Sequence, residues 1–132
     1  KIQKKYDINQ NNILAHSDIA PFRKKDPGKH FPWKSLSCSK IIFKLRKLKK
    51  SDIKLIEQWF LKHNFKSKKK IIIFILSFIG YDTRDIYSNF TLYEKLLRAY
   101  CSRYLNDQDK IDTKLIYNAL IKHLFNFLLT KN

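Results

Sequence analysis

The chain has no methionine, and its 132 residues hold only 11 acidic side chains against 28 Lys and Arg. It begins with lysine, after which an initiator methionine is normally retained, so the sequence is expected to be a fragment of a longer product. The lack of a leader peptide therefore excludes no destination. Cysteine is scarce: Cys38 and Cys101 lack CxxC spacing, which excludes a zinc knuckle and a thioredoxin-like redox motif and leaves two buried or half-buried thiols as the expectation. Long apolar runs are missing too. The longest, Ile71 to Ile79, falls short of the ~20 residues needed to cross a bilayer, so no transmembrane segment is expected. What is present is enough for a core: 44% of residues are hydrophobic and 14% aromatic, which excludes a disordered chain.

The formal charge of +17 raises nucleic acid as a partner, because clustered cations gain from phosphate contact and counterion release. Here the lysines are spread through nearly every segment alongside abundant Ile and Asn, and no nucleic-acid motif accompanies them. Specific nucleic-acid binding is therefore not expected. A basic surface also suits an anionic wall polymer bearing peptide carboxylates.

The densest chemistry lies in His16-Ser-Asp-Ile-Ala-Pro-Phe-Arg-Lys-Lys-Asp-Pro-Gly28, followed by Phe31-Pro-Trp33. His16 and Asp26 carry side chains of the zinc-ligand type, ten residues apart, a spacing that suits a loop folding back on itself. Spacing alone favours their being ordinary loop residues. Lys24 precedes Asp26 by two residues, so in an extended segment both side chains leave on one face. Asp26-Pro27-Gly28 can close a tight turn, proline fixing one backbone angle and glycine accepting a positive one.

The stretch ILAHSDIAPFRKKDPGKHFPW, and its surroundings from Ile13 to Leu36, resembles the zinc-binding segment of the type 2 N-acetylmuramoyl-L-alanine amidases. These bacterial enzymes cut peptidoglycan between the muramic acid lactyl group and L-alanine. The resemblance implies that His16 and Asp26 are two of the three protein ligands of a catalytic Zn2+ and that Lys24 faces the substrate carbonyl. Arg23 and Trp33 become candidates for substrate contact and Asp18 for a supporting position behind the ligands. Phe22 departs from the family, which often has a small or polar residue there. The family's third ligand, a histidine, and its catalytic glutamate lie upstream of the motif, and neither has a counterpart before His16. His30, four residues past Asp26, stands where the family has no ligand.

By resemblance the reaction is metal-assisted amide hydrolysis of peptidoglycan or a muramoyl-peptide. A zinc held by two His and one Asp keeps an open position for water, lowers its pKa towards about 7 and polarises the scissile carbonyl. Lys24 would stabilise the developing oxyanion. The expected location is the bacterial cell envelope. Residues 1–132 alone, with two ligands, are expected to be inactive, and a noncatalytic wall-associated remnant and a nucleic-acid-binding bundle are the alternative readings.

The expected fold is mainly α: the C-terminal corner of a mixed α/β zinc domain over residues 1–48, a linker with a helix over 49–66, and a three-helix bundle over 67–132. Lys1 to Tyr6 reads as the end of a helix, and Ile13-Leu14-Ala15 as a short buried strand delivering His16. Phe31-Pro32-Trp33 is expected to pack the base of the loop, and Ile41 to Lys50 to end the first region. Ser51 is placed as an N-cap for a helix carrying Ile53, Ile56 and Phe60 at helical spacing through about Lys62, with His63 capping its end. The Ile/Phe/Leu run from Ser67 to Ile79 fits either a buried helix or a buried strand, and Gly80 as a stop favours the helix. Thr91 with Glu94 makes a capping box ahead of the stripe Leu92, Leu96, Tyr100, Tyr104. A last helix begins near Asp112 or Thr113 with Ile116, Leu120 and Leu124 in register, and His123 reads as a boundary residue. This helical part resembles the peptidoglycan-binding-like domain that follows some of these amidases, departing from it at Tyr100-Cys101 and Gln108-Asp109.

Overall fold

The computed structural model describes residues 2–28, 30–105 and 111–129, and all regular structure within them is helical. The first 48 residues hold only short pieces: α1 (Ile2–Lys5), a 3₁₀ turn (Gln10–Asn12) capped by the Asn9 side chain, α2 (His16–Ile19) and α3 (Trp33–Cys38). The strand expected at Ile13 to Ala15 is not formed. A strand needs a partner for its N–H and C=O groups, and the described residues offer none. Ala15, Trp33 and Ile42 instead bury one another in a small cluster with Ile13 and Leu36 against it, while Leu14 points outward. Gln10 holds this base closed by donating from its amide to the Lys40 carbonyl at 2.8 Å.

Helix α4 (Lys50–Lys62) buries Phe60 completely and half-buries Ile53 and Ile56, the period-3.6 stripe seen in its sequence. Its N-cap is Lys49, two residues earlier than expected and without a side-chain cap. The Ser51 hydroxyl lies inside the first turn, 3.4 Å from the Asp52 carboxylate. His63 ends the helix as anticipated, its Nδ1 2.8 Å from the Trp59 carbonyl and its ring stacked on the indole.

The ambiguous apolar run is helix α5 (Lys68–Phe78), with Ile71, Ile72, Ile73, Ile75 and Leu76 all buried. Apolar side chains nearly all round mark a helix enclosed by others rather than lying on a surface. Three lysines at its start oppose the helix dipole. Aromatic faces offset part of that cost: Lys68 Nζ lies 5.6 Å from the Tyr117 ring centroid and Lys69 Nζ 4.9 Å from that of Tyr93. The helix ends in a Schellman motif, Tyr81 N–H bonding to the Leu76 carbonyl and Gly80 N–H to that of Ser77, with Gly80 at φ +104°.

Helix α6 (Phe90–Tyr100) is capped by Asn89, whose side-chain oxygen accepts from Leu92 N–H at 3.1 Å. The expected Thr91–Glu94 capping box is absent because asparagine, the stronger cap, stands two residues earlier. Glu94 pairs instead with Arg98 one turn on, at 2.8 Å. A π-turn (Cys101–Leu105) follows, burying Cys101 and Arg103, whereas Cys38 is exposed. Helix α7 (Thr113–Leu129) starts where Asp112 accepts from Lys114 and Leu115 N–H. Gln108-Asp109 falls outside the described residues.

Packing completes the core: α5 runs along α7, α4 also touches α7, and α2 approaches α6. Phe60, Ile72, Ile75, Leu76, Leu96, Tyr100, Ile116, Leu120 and Ile121 are its fully buried centre. Burial of this many large side chains, at ~1.5–3 kcal/mol each, is the main favourable term of folding. Leu45, Ile53, Ile56 and Phe22 pack on the same core. His123, expected at the boundary, is buried, because Phe43 from the irregular segment after α3 stacks on its ring at 4.9 Å and Tyr104 meets it edge-on at 4.6 Å. Among the described residues no helix is long and apolar enough to cross a membrane.

Candidate metal and substrate site

The loop from His16 to Gly28 is shaped by its own backbone. His16 opens α2, whose single turn is closed by Ala20 N–H on the His16 carbonyl at 2.8 Å. Arg23 and Lys24 N–H groups then both bond to the Ala20 carbonyl, turning the chain back. Ser17 N–H donates to the Asp26 carbonyl at 3.1 Å, which brings residues 16 and 26 side by side. Asp26-Pro27 is a cis peptide.

The outcome is direct contact between His16 Nδ1 and Asp26 Oδ2, with both side chains mostly exposed. A hydrogen bond from His16 holds the Asp26 carboxyl below its usual range, and the nearby Lys24 charge acts in the same direction. A carboxylate kept ionised beside an imidazole is half of a zinc donor set. As a fit to zinc the pair supplies an N and an O donor at one point. Among the described residues no third His, Cys, Asp or Glu joins them, and neither His30 nor Asp18 completes a group of three.

Asp18 faces the other way. Its carboxylate is buried and accepts from Ala15 N–H at 2.8 Å and from the Tyr81 hydroxyl at 3.0 Å, and the Arg103 guanidinium Nε lies 3.3 Å away. Arg103 in turn donates to the Ile13 carbonyl at 2.8 Å and lies with its Cζ 3.7 Å from the Trp33 ring centroid. Burial and the Asp18 charge push the Tyr81 hydroxyl well above its ordinary pKa, which keeps it a hydrogen-bond donor. This cluster fastens both flanks of the loop, Ile13–Ala15 and Trp33, to the bundle. Asp18 thus ties α2, the helix that His16 opens, to Tyr81 and Arg103, and Trp33 is a buried packing surface whose partner ring is Phe31 at 4.4 Å. Behind Asp18 lies a cavity of about 450 Å³ lined in part by Tyr81, Tyr104 and His123.

Lys24 and Arg23 are exposed and edge a depression shared with α6. Sequence reading missed Tyr81, Arg103, Lys95 and Arg98, all of which meet the loop from distant segments. No local pattern announces such pairings. The one available hint is that arginine inside an otherwise apolar helix end needs a carboxylate partner somewhere.

The chain is 54% identical over 33 residues to the N-acetylmuramoyl-L-alanine amidase AmiD of Escherichia coli strain K12, a match taking in 25% of this chain and 12% of that protein. The chain thus spans only about an eighth of that relative's length. No family model matches the chain, and no solved structure does. The similarity to an amidase is thus confined to a short stretch of the chain.

Proposed function

We propose that residues 1–48 carry the C-terminal part of the active site of a zinc-dependent N-acetylmuramoyl-L-alanine amidase, in which His16 and Asp26 hold the metal and Lys24 faces the scissile carbonyl. The observation that supports this reading best is the contact between two zinc-type ligands ten residues apart, in a chain that is similar to an amidase over 33 residues. When bound, zinc supplies Lewis acidity and a nucleophilic water near neutral pH. The chain's own residues do the rest. Asp26 stays ionised under the His16 hydrogen bond and the Lys24 charge. Lys24, outside the donor pair, stabilises negative charge building on the carbonyl oxygen, an effect worth ~10²- to 10³-fold in turnover. The clamp of Asp18, Tyr81 and Arg103 holds the loop so that this geometry does not have to be organised during reaction.

The helical bundle of residues 67–132, with α4 packed into it, serves in this proposal as the loop's support, and the cell envelope is where the substrate resides. On this reading residues 1–132 alone are inactive, since His16 and Asp26 supply two ligands. A catalytic zinc needs three protein ligands and an open position. The deciding experiment follows peptide release from a muramoyl-peptide by residues 1–132, and by a product in which an upstream histidine and glutamate precede this segment. The longer product should release peptide and lose both zinc and activity on His16→Ala, and residues 1–132 should match their own His16→Ala control. Full zinc retention in the longer His16→Ala protein would overturn the assignment.

A further inference from the structure

Loop and bundle meet in a second place, on the side away from the buried clamp. A depression of about 230 Å³ is lined by Arg23, Lys24 and Lys25 from the loop and by Lys95 and Arg98 from α6, over a floor that includes Pro21, Phe22 and Ala99. The two walls are tied together where Lys95 Nζ donates to the Phe22 carbonyl at 3.4 Å. Five cations thus converge from segments some seventy residues apart. Glu94 is paired with Arg98, and Asp26 lies beside Lys24. Among the described residues no carboxylate forms an ion pair with Arg23, Lys25 or Lys95.

Like charges held together repel unless an anion joins them, and a concave wall concentrates their field. Cations gathered around an apolar floor therefore make a receptor for an anion attached to a small apolar body. Its volume lies below the ~300–1,000 Å³ of sites that enclose a drug-sized ligand, so one short acidic unit enters and a nucleic-acid duplex does not. Lys24 edges this depression and its charge also acts on Asp26, so one lysine serves both the groove and the donor pair.

We propose that the groove between the Pro21–Lys25 loop and α6 binds the free carboxylates of a short acidic peptide, with Lys95 and Arg98 as the bundle's contribution to substrate recognition. This rests on the amidase reading, in which a peptide bearing free carboxylates leaves the scissile bond beside Lys24. The bundle then sets which peptide is accepted as well as supporting the loop.

The test uses residues 1–132 without zinc and a soluble acidic tetrapeptide, its fully amidated counterpart and a short oligonucleotide as probes, titrated by NMR or calorimetry. The acidic peptide should bind and amidation should weaken it at least tenfold. Lys95→Gln with Arg98→Gln should weaken it about tenfold or more, the scale of losing charge-assisted hydrogen bonds. Lys25→Gln, which leaves the α6 contacts in place, should act in the same direction, and Lys114→Gln on α7 should have no effect. His16→Ala should leave peptide binding unchanged while altering zinc uptake, so failure of the groove and failure of the metal assignment are read separately. Equal binding of the amidated peptide, binding insensitive to the α6 and Lys25 changes, or preference for the oligonucleotide would each overturn the proposal.

Discussion

Replacing Asp18 with alanine removes the only carboxylate among the described residues that forms an ion pair with the buried Arg103 guanidinium, and its effect on stability can be worked from the structure. Both side chains are almost wholly enclosed, at 4% and 2% exposure, so the arginine charge cannot turn to solvent when its partner goes. Breaking a buried ion pair by removing one partner costs ~3–5 kcal/mol, most of it the uncompensated charge. Loss of the Ala15 N–H and Tyr81 hydroxyl acceptor bonds acts in the same direction, and part of it is already contained in that figure. Against a typical total stability of ~5–15 kcal/mol, the variant should lose a large share and unfold at distinctly lower urea. The double variant Asp18→Ala/Arg103→Met removes the stranded charge and should recover ~1–2 kcal/mol of the loss, giving a clear coupling energy in a double-mutant cycle. Urea titrations of the four proteins, with equal slopes, provide the assay. A loss below ~0.5 kcal/mol for Asp18→Ala, or strict additivity with Arg103→Met, would refute the clamp.

Three other predictions follow from different residues. Burial of His123 pushes its pKa down to about 3, while in the unfolded chain it titrates near 6.5. Between those values the unfolded chain holds the extra proton, so the stability due to neutral His123 is complete above about pH 6.5 and is lost as pH falls towards 3. From pH 7 to 5 the loss should be ~2 kcal/mol and should vanish in His123→Gln, as urea titrations at the two pH values will show. Gly80→Ala places a Cβ at φ +104° with no heavy atom within 4 Å, so it should cost ~1–2 kcal/mol through backbone conformation alone, seen as a lower Tm. In a product with the complete metal site, Lys24→Ala should keep zinc content and lower turnover ~10²- to 10³-fold, and unchanged turnover would remove Lys24 from the chemistry.

Helices were legible where a stripe and a stop signal coincided. Ile53, Ile56 and Phe60 marked α4, and Gly80 decided α5 against a strand. Caps were legible only approximately: Asn89 and Lys49 took positions assigned to Thr91 and Ser51, because several residues near a helix start compete for one cap. Ile13–Ala15 reads as a strand by composition but folds without one, since a strand is fixed by its neighbours more than by its residues. The same limit governs the site. His16 and Asp26 were visible through the wording of one local stretch, and the structure brings them into contact. The Asp18–Arg103 clamp and the groove lined by Lys95 are made by segments far apart in the chain, and no spacing rule reaches that far. His123 looked like a boundary residue because its neighbours on α7 are visible in sequence, whereas Phe43, which covers it, is not.

The central claim is that His16 and Asp26 act together as zinc ligands, and zinc titration of residues 1–132 followed through the imidazole NMR signals tests it most directly. With two ligands the affinity should be weak, yet His16 should respond first among the four histidines, and Asp26→Ala should weaken that response at least tenfold. A first response at His30, His63 or His123, or a His16 response indifferent to Asp26→Ala, would contradict the claim.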